Sequence, residues 1–141
     1  MLALEVLLNG KRIAIAGADD LNVLTGIVTA VGKLGPKASG TKAHPKGYEV
    51  DLNIGGLTGS YGGGRDEHLD WEQQKRLKVG DDVLIRVCRV KFADQPIKRR
   101  AVDPKNLERN ERQEFKWVKS RYLALRRKYE RTRTNSRSKK H

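Results

Sequence analysis

Asp66, Glu67, His68 and Asp70 form the densest group of side chains able to ligate a metal or exchange protons. On a strand, neighbours point to opposite faces, so His68 and Asp70 would cooperate while Glu67 turned away. A metal or acid–base centre needs further donors, and none is spaced along the chain to supply them. A strand with one polar face, and with Leu69 and Trp71 turned inward, explains the same residues more simply. His44 and His141 stand apart from this group. Cys88 is the single cysteine, which excludes an intrachain disulfide and fits a reducing, cytoplasmic setting. It reads as a small core residue rather than a reactive thiol. Gly62, Gly63 and Gly64 lack the following Gly-Lys-Ser/Thr of a phosphate loop. The expectation is a non-catalytic protein with no metal ligand and no cofactor.

The cations carry the clearest chemistry. The chain has 141 residues and a formal net charge of +13. Residues 1–97 hold 13 Lys or Arg against 12 Asp or Glu, while residues 98–141 hold 17 against 5. Such asymmetry points to a polyanionic partner, nucleic acid or an anionic membrane surface, rather than to a basic tail kept only for solubility. The expected contacts are Lys98, Arg99, Arg100, Lys116, Lys119, Arg121, Arg126, Arg127, Lys128, Arg131 and Arg133. Lys and Arg neutralise backbone phosphates and release counterions, so binding would be led by charge and shape. Arg-rich helical segments often order on RNA, which favours RNA slightly over DNA as the nucleic-acid partner. Trp117, if exposed, could stack on a base. The alternative is a protein-interaction module whose helix docks on an acidic partner or a second subunit. No stretch approaches the ~20 apolar residues of a membrane span. The N-terminus lacks the basic region of a secretory signal.

These cations need a rod to carry them, and residues 103–133 provide one. Asp103 can cap a helix whose first position is Pro104. Phe115, Val118, Tyr122, Leu125 and Tyr129 are spaced three, four, three and four apart, a seam along one side. Lys119, Arg121, Arg126 and Lys128 are expected to flank it. The seam can dock on the folded body or pair with another copy; docking is the simpler use. Residues 134–141 contain no apolar residue and read as a disordered basic tail.

The body, residues 1–97, alternates as strands. Asn9-Gly10 predicts a hairpin over residues 3–16, pairing Leu8 with Lys11, Val6 with Ile13 and Leu4 with Ile15. Leu4, Val6, Ile13 and Ile15 would then share one face. Residues 21–31 carry many β-branched side chains and favour a strand, with Gly26 as a bulge or close approach. The spacing of Leu21, Leu24, Val28 and Val31 leaves a helix open. Residues 32–47 read as a loop whose lysines either touch phosphates or are merely solvated. Tyr48, Val50, Leu52 and Ile54 alternate as a half-buried strand that Gly55-Gly56 should end. Beyond Gly59 the glycines suggest a flexible link. Residues 72–78 suggest a turn. Val83, Ile85 and Val87 begin another strand, with a bulge near 87–88 or burial on both faces. Residues 93–102 read as a linker. The expected fold is mainly β: a small antiparallel barrel or sandwich of about five or six strands, then one long C-terminal basic amphipathic helix and a disordered tail.

Overall fold

The computed structural model describes residues 1–59 and 66–137, with side chains to residue 130. The glycine-rich link expected at 62–64 and the tail residues 138–141 lie outside the described residues. The chain divides after Ala101 into two units. The first holds seven strands: β1 (Leu2–Leu8), β2 (Lys11–Ala16), β3 (Leu21–Gly32), β4 (Tyr48–Thr58), β5 (Glu67–Arg76), β6 (Val83–Arg89) and β7 (Lys98–Ala101). One sheet has the order β2-β1-β6 and the other β3-β4-β5-β7, all pairs antiparallel. The sheets share no ladder among the described residues, so the architecture is the sandwich, not the barrel.

The Asn9-Gly10 turn forms as expected. Asn9 and Gly10 both take positive φ, 51° and 78°, which a two-residue hairpin turn of this type requires. Leu8 pairs with Lys11, but the expected register fails beyond Leu7. Ile13 is an extra residue, and Val6 faces Ala14 while Leu4 faces Ala16. The buried face of β2 is therefore Ala14 and Ala16, with Ile15 left half-buried opposite Glu5. Val6, Ala14 and Ala16 pack with Leu52, Ile54, Leu69, Trp71 and Leu77 to make the core.

Residues 21–32 are a strand and not a helix. The irregularity in β3 falls between Leu21 and Val23, while Gly26 pairs regularly with Ile54. A Cβ at Gly26 would come within 2.9 Å of Ile85 Cδ1, so the close approach is the feature realised there. Strand β4 does not stop at Gly55-Gly56 but runs through both to Thr58. A Cβ on Gly56 would sit 2.7 Å from the Val23 carbonyl oxygen, so the glycine admits the neighbouring strand. Residues 72–76 are strand where a turn was expected. Asn53 lies opposite both Gln73 and Gln74, and its Oδ1 accepts the Gln74 amide at 2.8 Å. That side chain satisfies the backbone donor the bulge leaves over, so a polar run extends as sheet. Strand β6 pairs with β1 without a bulge at 87–88. Lys98–Ala101, expected as linker, is an edge strand on β5.

Two polar devices tie the unit together. The Trp71 indole donates to the Asp94 carbonyl at 2.7 Å. Asp94 in turn accepts the Ile15 amide on its carboxylate at 2.7 Å and donates its own amide to the Ile15 carbonyl at 2.9 Å. At the other device, Asn9 donates to Asp81 at 2.9 Å and accepts the Asp82 amide at 2.9 Å. Asp81 also accepts the Lys78 amide at 2.7 Å. The Asn9 side-chain bond, followed by the Lys78 amide, holds the Asp81 carboxyl below its ordinary value.

The second unit is α1, Pro104–Arg137. Asp103 caps it by accepting the Lys105 amide at 2.9 Å. The helix continues four residues past Arg133, so residues 134–137, expected to be disordered, are helical.

Trp71→Phe should lower the unfolding free energy by about 1–3 kcal/mol, because the Asp94 carbonyl loses its donor. Urea titration with an unchanged m-value would check this. Asp81 has a depressed folded pKa, so its contribution is present above the unfolded-state carboxylate range and is lost as pH falls through the folded value. Asp81→Asn should therefore be less stable than the parent at neutral pH, and the gap should close in acid. Urea midpoints measured from neutral pH down through the carboxylate range test the sign.

Candidate nucleic-acid interface

The expected cations fall on two different units. Lys98, Arg99 and Arg100 belong to β7 in the first, and the remainder to α1 in the second. Arg99 and Arg100 are already engaged. Arg99 lies 2.7 Å from Glu67 and 3.7 Å from Asp20, and Arg100 lies 3.0 Å from Asp70. Cross-strand pairing explains this: His68 faces Arg100 and Leu69 faces Arg99, so the acidic edge of β5 meets the basic run. Two of these three cations are thereby weakened as phosphate ligands; Lys98 has no ion-pair partner among the described residues.

The same self-neutralisation runs through the β unit. Arg86 lies 2.8 Å from Glu5, and Arg76 lies 3.1 Å from Glu49 and 3.3 Å from Asp51. The hydrogen bond from Arg76, helped by His44 at 3.3 Å, draws the Glu49 carboxyl below its usual range. Glu49 in return raises the Arg76 guanidinium. Asp70 is held by Arg100 and by Gln73, while His68 is exposed. No three His, Cys, Asp or Glu side chains gather as metal ligands among the described residues. Cys88 is half-buried, with its Sγ 3.6 Å from the Ala3 carbonyl.

Helix α1 is different. Every residue from Pro104 to Glu130 is exposed. The seam residues Phe115, Val118, Tyr122, Leu125 and Tyr129 are 67%, 50%, 60%, 42% and 62% exposed. Two intrahelical ion pairs form at four-residue spacing, Glu108 with Arg112 and Glu130 with Arg126 at 3.0 Å. The Glu130 contact raises Arg126 above its ordinary value. Lys116, Lys119 and Arg127 have no ion-pair partner among the described residues. Arg121 stacks over Trp117 at 5.3 Å, and Lys128 over Tyr129 at 5.4 Å. Arg131 and Arg133 lie on helical backbone beyond the described side chains.

The helix also organises cations that the composition does not single out. Lys105, Arg109, Arg112, Lys116 and Lys119 recur at intervals of four, three, four and three, and Arg127 follows eight residues later. On a continuous helix these stack along one side, while the Phe115–Tyr129 seam occupies another. Lys116 and Arg127 therefore lie away from the seam. Lys105, Arg109 and Arg112 extend the stripe, and the helical spacing was the signal that could have found them. No protein-family model, curated protein or solved structure matches this chain. No helix among the described residues is long and apolar enough to cross a membrane.

The Arg121 guanidinium over the Trp117 ring partly shields the indole from water. Arg121→Ala should shift Trp117 emission to the red in a Trp71→Phe background, where Trp117 is the sole fluorophore of its type.

Proposed function

We propose that α1 is a non-catalytic nucleic-acid-binding element that grips the phosphate backbone by charge and shape, with RNA favoured over DNA. The single observation that carries this reading is the stripe of exposed cations on α1, of which Lys105, Arg109, Lys116, Lys119 and Arg127 have no ion-pair partner among the described residues. Exposed, unpaired ammonium and guanidinium groups on one face are what counterion release needs. The regular rise of ~1.5 Å per residue spreads them along the rod, so several phosphates are met by one rigid element. Trp117, 60% exposed and bracketed by Arg121, offers a flat surface for an unpaired base. That feature favours single-stranded segments, where bases are free to stack. The β unit supports the reading by contrast, because its arginines are largely occupied by its own carboxylates. The expected setting is the cytoplasm, where the lone Cys88 stays reduced.

The exposed seam favours a second reading, a protein-interaction module whose helix docks on an acidic protein or a second subunit. An apolar helix in a groove responds little to salt, whereas phosphate binding responds steeply.

The test is fluorescence anisotropy with single-stranded RNA, duplex RNA and duplex DNA across a salt series. RNA affinity should fall about 10²- to 10³-fold between about 50 and 200 mM salt, as roughly six contacts require. Lys116→Gln, Lys119→Gln and Arg127→Gln together should reduce the log–log slope by about 2 on single strands. Trp117→Ala should weaken single-strand binding about 5- to 150-fold while leaving the slope unchanged. A salt-insensitive affinity, or a slope the triple substitution does not alter, would sink the reading.

A further inference from the structure

The two sheets present four outer strands: β2 and β6 on one, β3 and β7 on the other. An outer strand displays unpaired N–H and C=O groups and will template another strand unless it is guarded, most often by charge. Three of the four are guarded. Strand β2 carries Lys11 and Arg12, β6 carries Arg86 and Arg89, and β7 carries Lys98, Arg99 and Arg100. Strand β3 is the exception. It is the longest strand, 12 residues, and LNVLTGIVTAVG contains no charge and no proline. Its far half is bare on both faces: Ile27, Val28 and Val31 are 49%, 48% and 44% exposed, and Val23 is 46% exposed.

We infer that β3 is a homodimer edge, pairing antiparallel with β3 of a second copy across a two-fold axis. Self-association of a chain with net charge +13 is opposed by its own field. Strand β3 is the long element where two copies meet with no like charges opposed, in any register. Six of its residues, Val23, Thr25, Ile27, Val28, Thr29 and Val31, are β-branched and suited to cross-strand packing. The assembly also closes. Pairing consumes the one unguarded edge of each copy, and the joined sheet ends on both sides in β7 with its three cations. A two-fold contact of this kind gives a dimer rather than a filament. This inference does not depend on the nucleic-acid reading of α1.

Sedimentation velocity on the full chain at high salt, with nucleic acid removed, should give twice the 15.9 kDa chain mass. Ile27→Lys and Val28→Lys should each return a monomer with an unchanged circular dichroism spectrum. Native-state amide exchange gives a readout that needs no substitution. In the paired sheet the outward-facing amides of β3 are protected along with the inward ones; on a free edge every second amide exchanges fast. A monomeric wild type overturns the inference, as does a dimer that survives both lysine substitutions. A dimer in which alternate β3 amides still exchange fast also overturns it, since another surface, such as the α1 seam, would then hold the copies. Mass that rises without limit overturns the closed two-fold.

Discussion

The hydrogen bond from the Trp71 indole to the Asp94 carbonyl, with the paired backbone and carboxylate bonds from Asp94 to Ile15, is the constraint on which the β unit rests. Trp71 belongs to the four-stranded sheet and Ile15 to the three-stranded one. Elsewhere the described residues join the sheets through side-chain packing, which is non-directional. The fully buried side chains of β2, Ala14 and Ala16, are small, and the indole fills the core with them. A large aromatic placed there brings a donor that must be satisfied when buried. Asp94 satisfies it, and by doing so places the chain that leads into β7.

The sequence was most legible where local chemistry and periodicity agreed. Asn9-Gly10 named its turn, and Leu69 and Trp71 were rightly turned inward. The capped start of α1 could be read to the residue. Legibility failed where one side chain or one missing Cβ overrode the local pattern. The hairpin register changed because Ile13 is the extra residue of a bulge, which puts Ala14 and Ala16 at the buried positions and leaves Ile13 half-buried against the core and Ile15 half-buried opposite Glu5. Gly55-Gly56 resembles a strand end, yet it is a place where two backbones come close. Glu72–Arg76 resembles a turn by composition, yet Asn53 supplies an acceptor that lets it stay paired. The run Lys98-Arg99-Arg100 looks like a linker until its carboxylate partners on β5 are brought alongside by topology, and that is information no spacing contains.

The candidate interface was legible in part for the same reason. Counting cations identified the terminal third, but counting cannot separate neutralised from available charge. Arg99 and Arg100 are spent on Glu67 and Asp70, whereas Lys116, Lys119 and Arg127 are not paired among the described residues. Helical spacing adds Lys105, Arg109 and Arg112, which lie among glutamates and so are diluted in a composition window. Surface ion pairs of the kind seen on the β unit contribute little stability, with a median of about 0–1 kcal/mol. Their consequence here is electrostatic: residues 1–101 hold 16 Lys or Arg against 12 Asp or Glu and engage Arg76, Arg86, Arg99 and Arg100 with their own carboxylates, whereas residues 102–141 hold 14 against 5.

The turn at Asn9-Gly10 has a chemical consequence of its own. An asparagine followed by glycine is the pair most prone to deamidation, because the small neighbour lets the next amide nitrogen attack the side chain. Here the asparagine amide is the donor toward Asp81, and its oxygen is the acceptor from the Asp82 backbone. Conversion to aspartate would retain the acceptor, erase the donor and set a second carboxylate against that of Asp81. The clasp that joins the two turns is thus also the point at which the folded chain registers its chemical age.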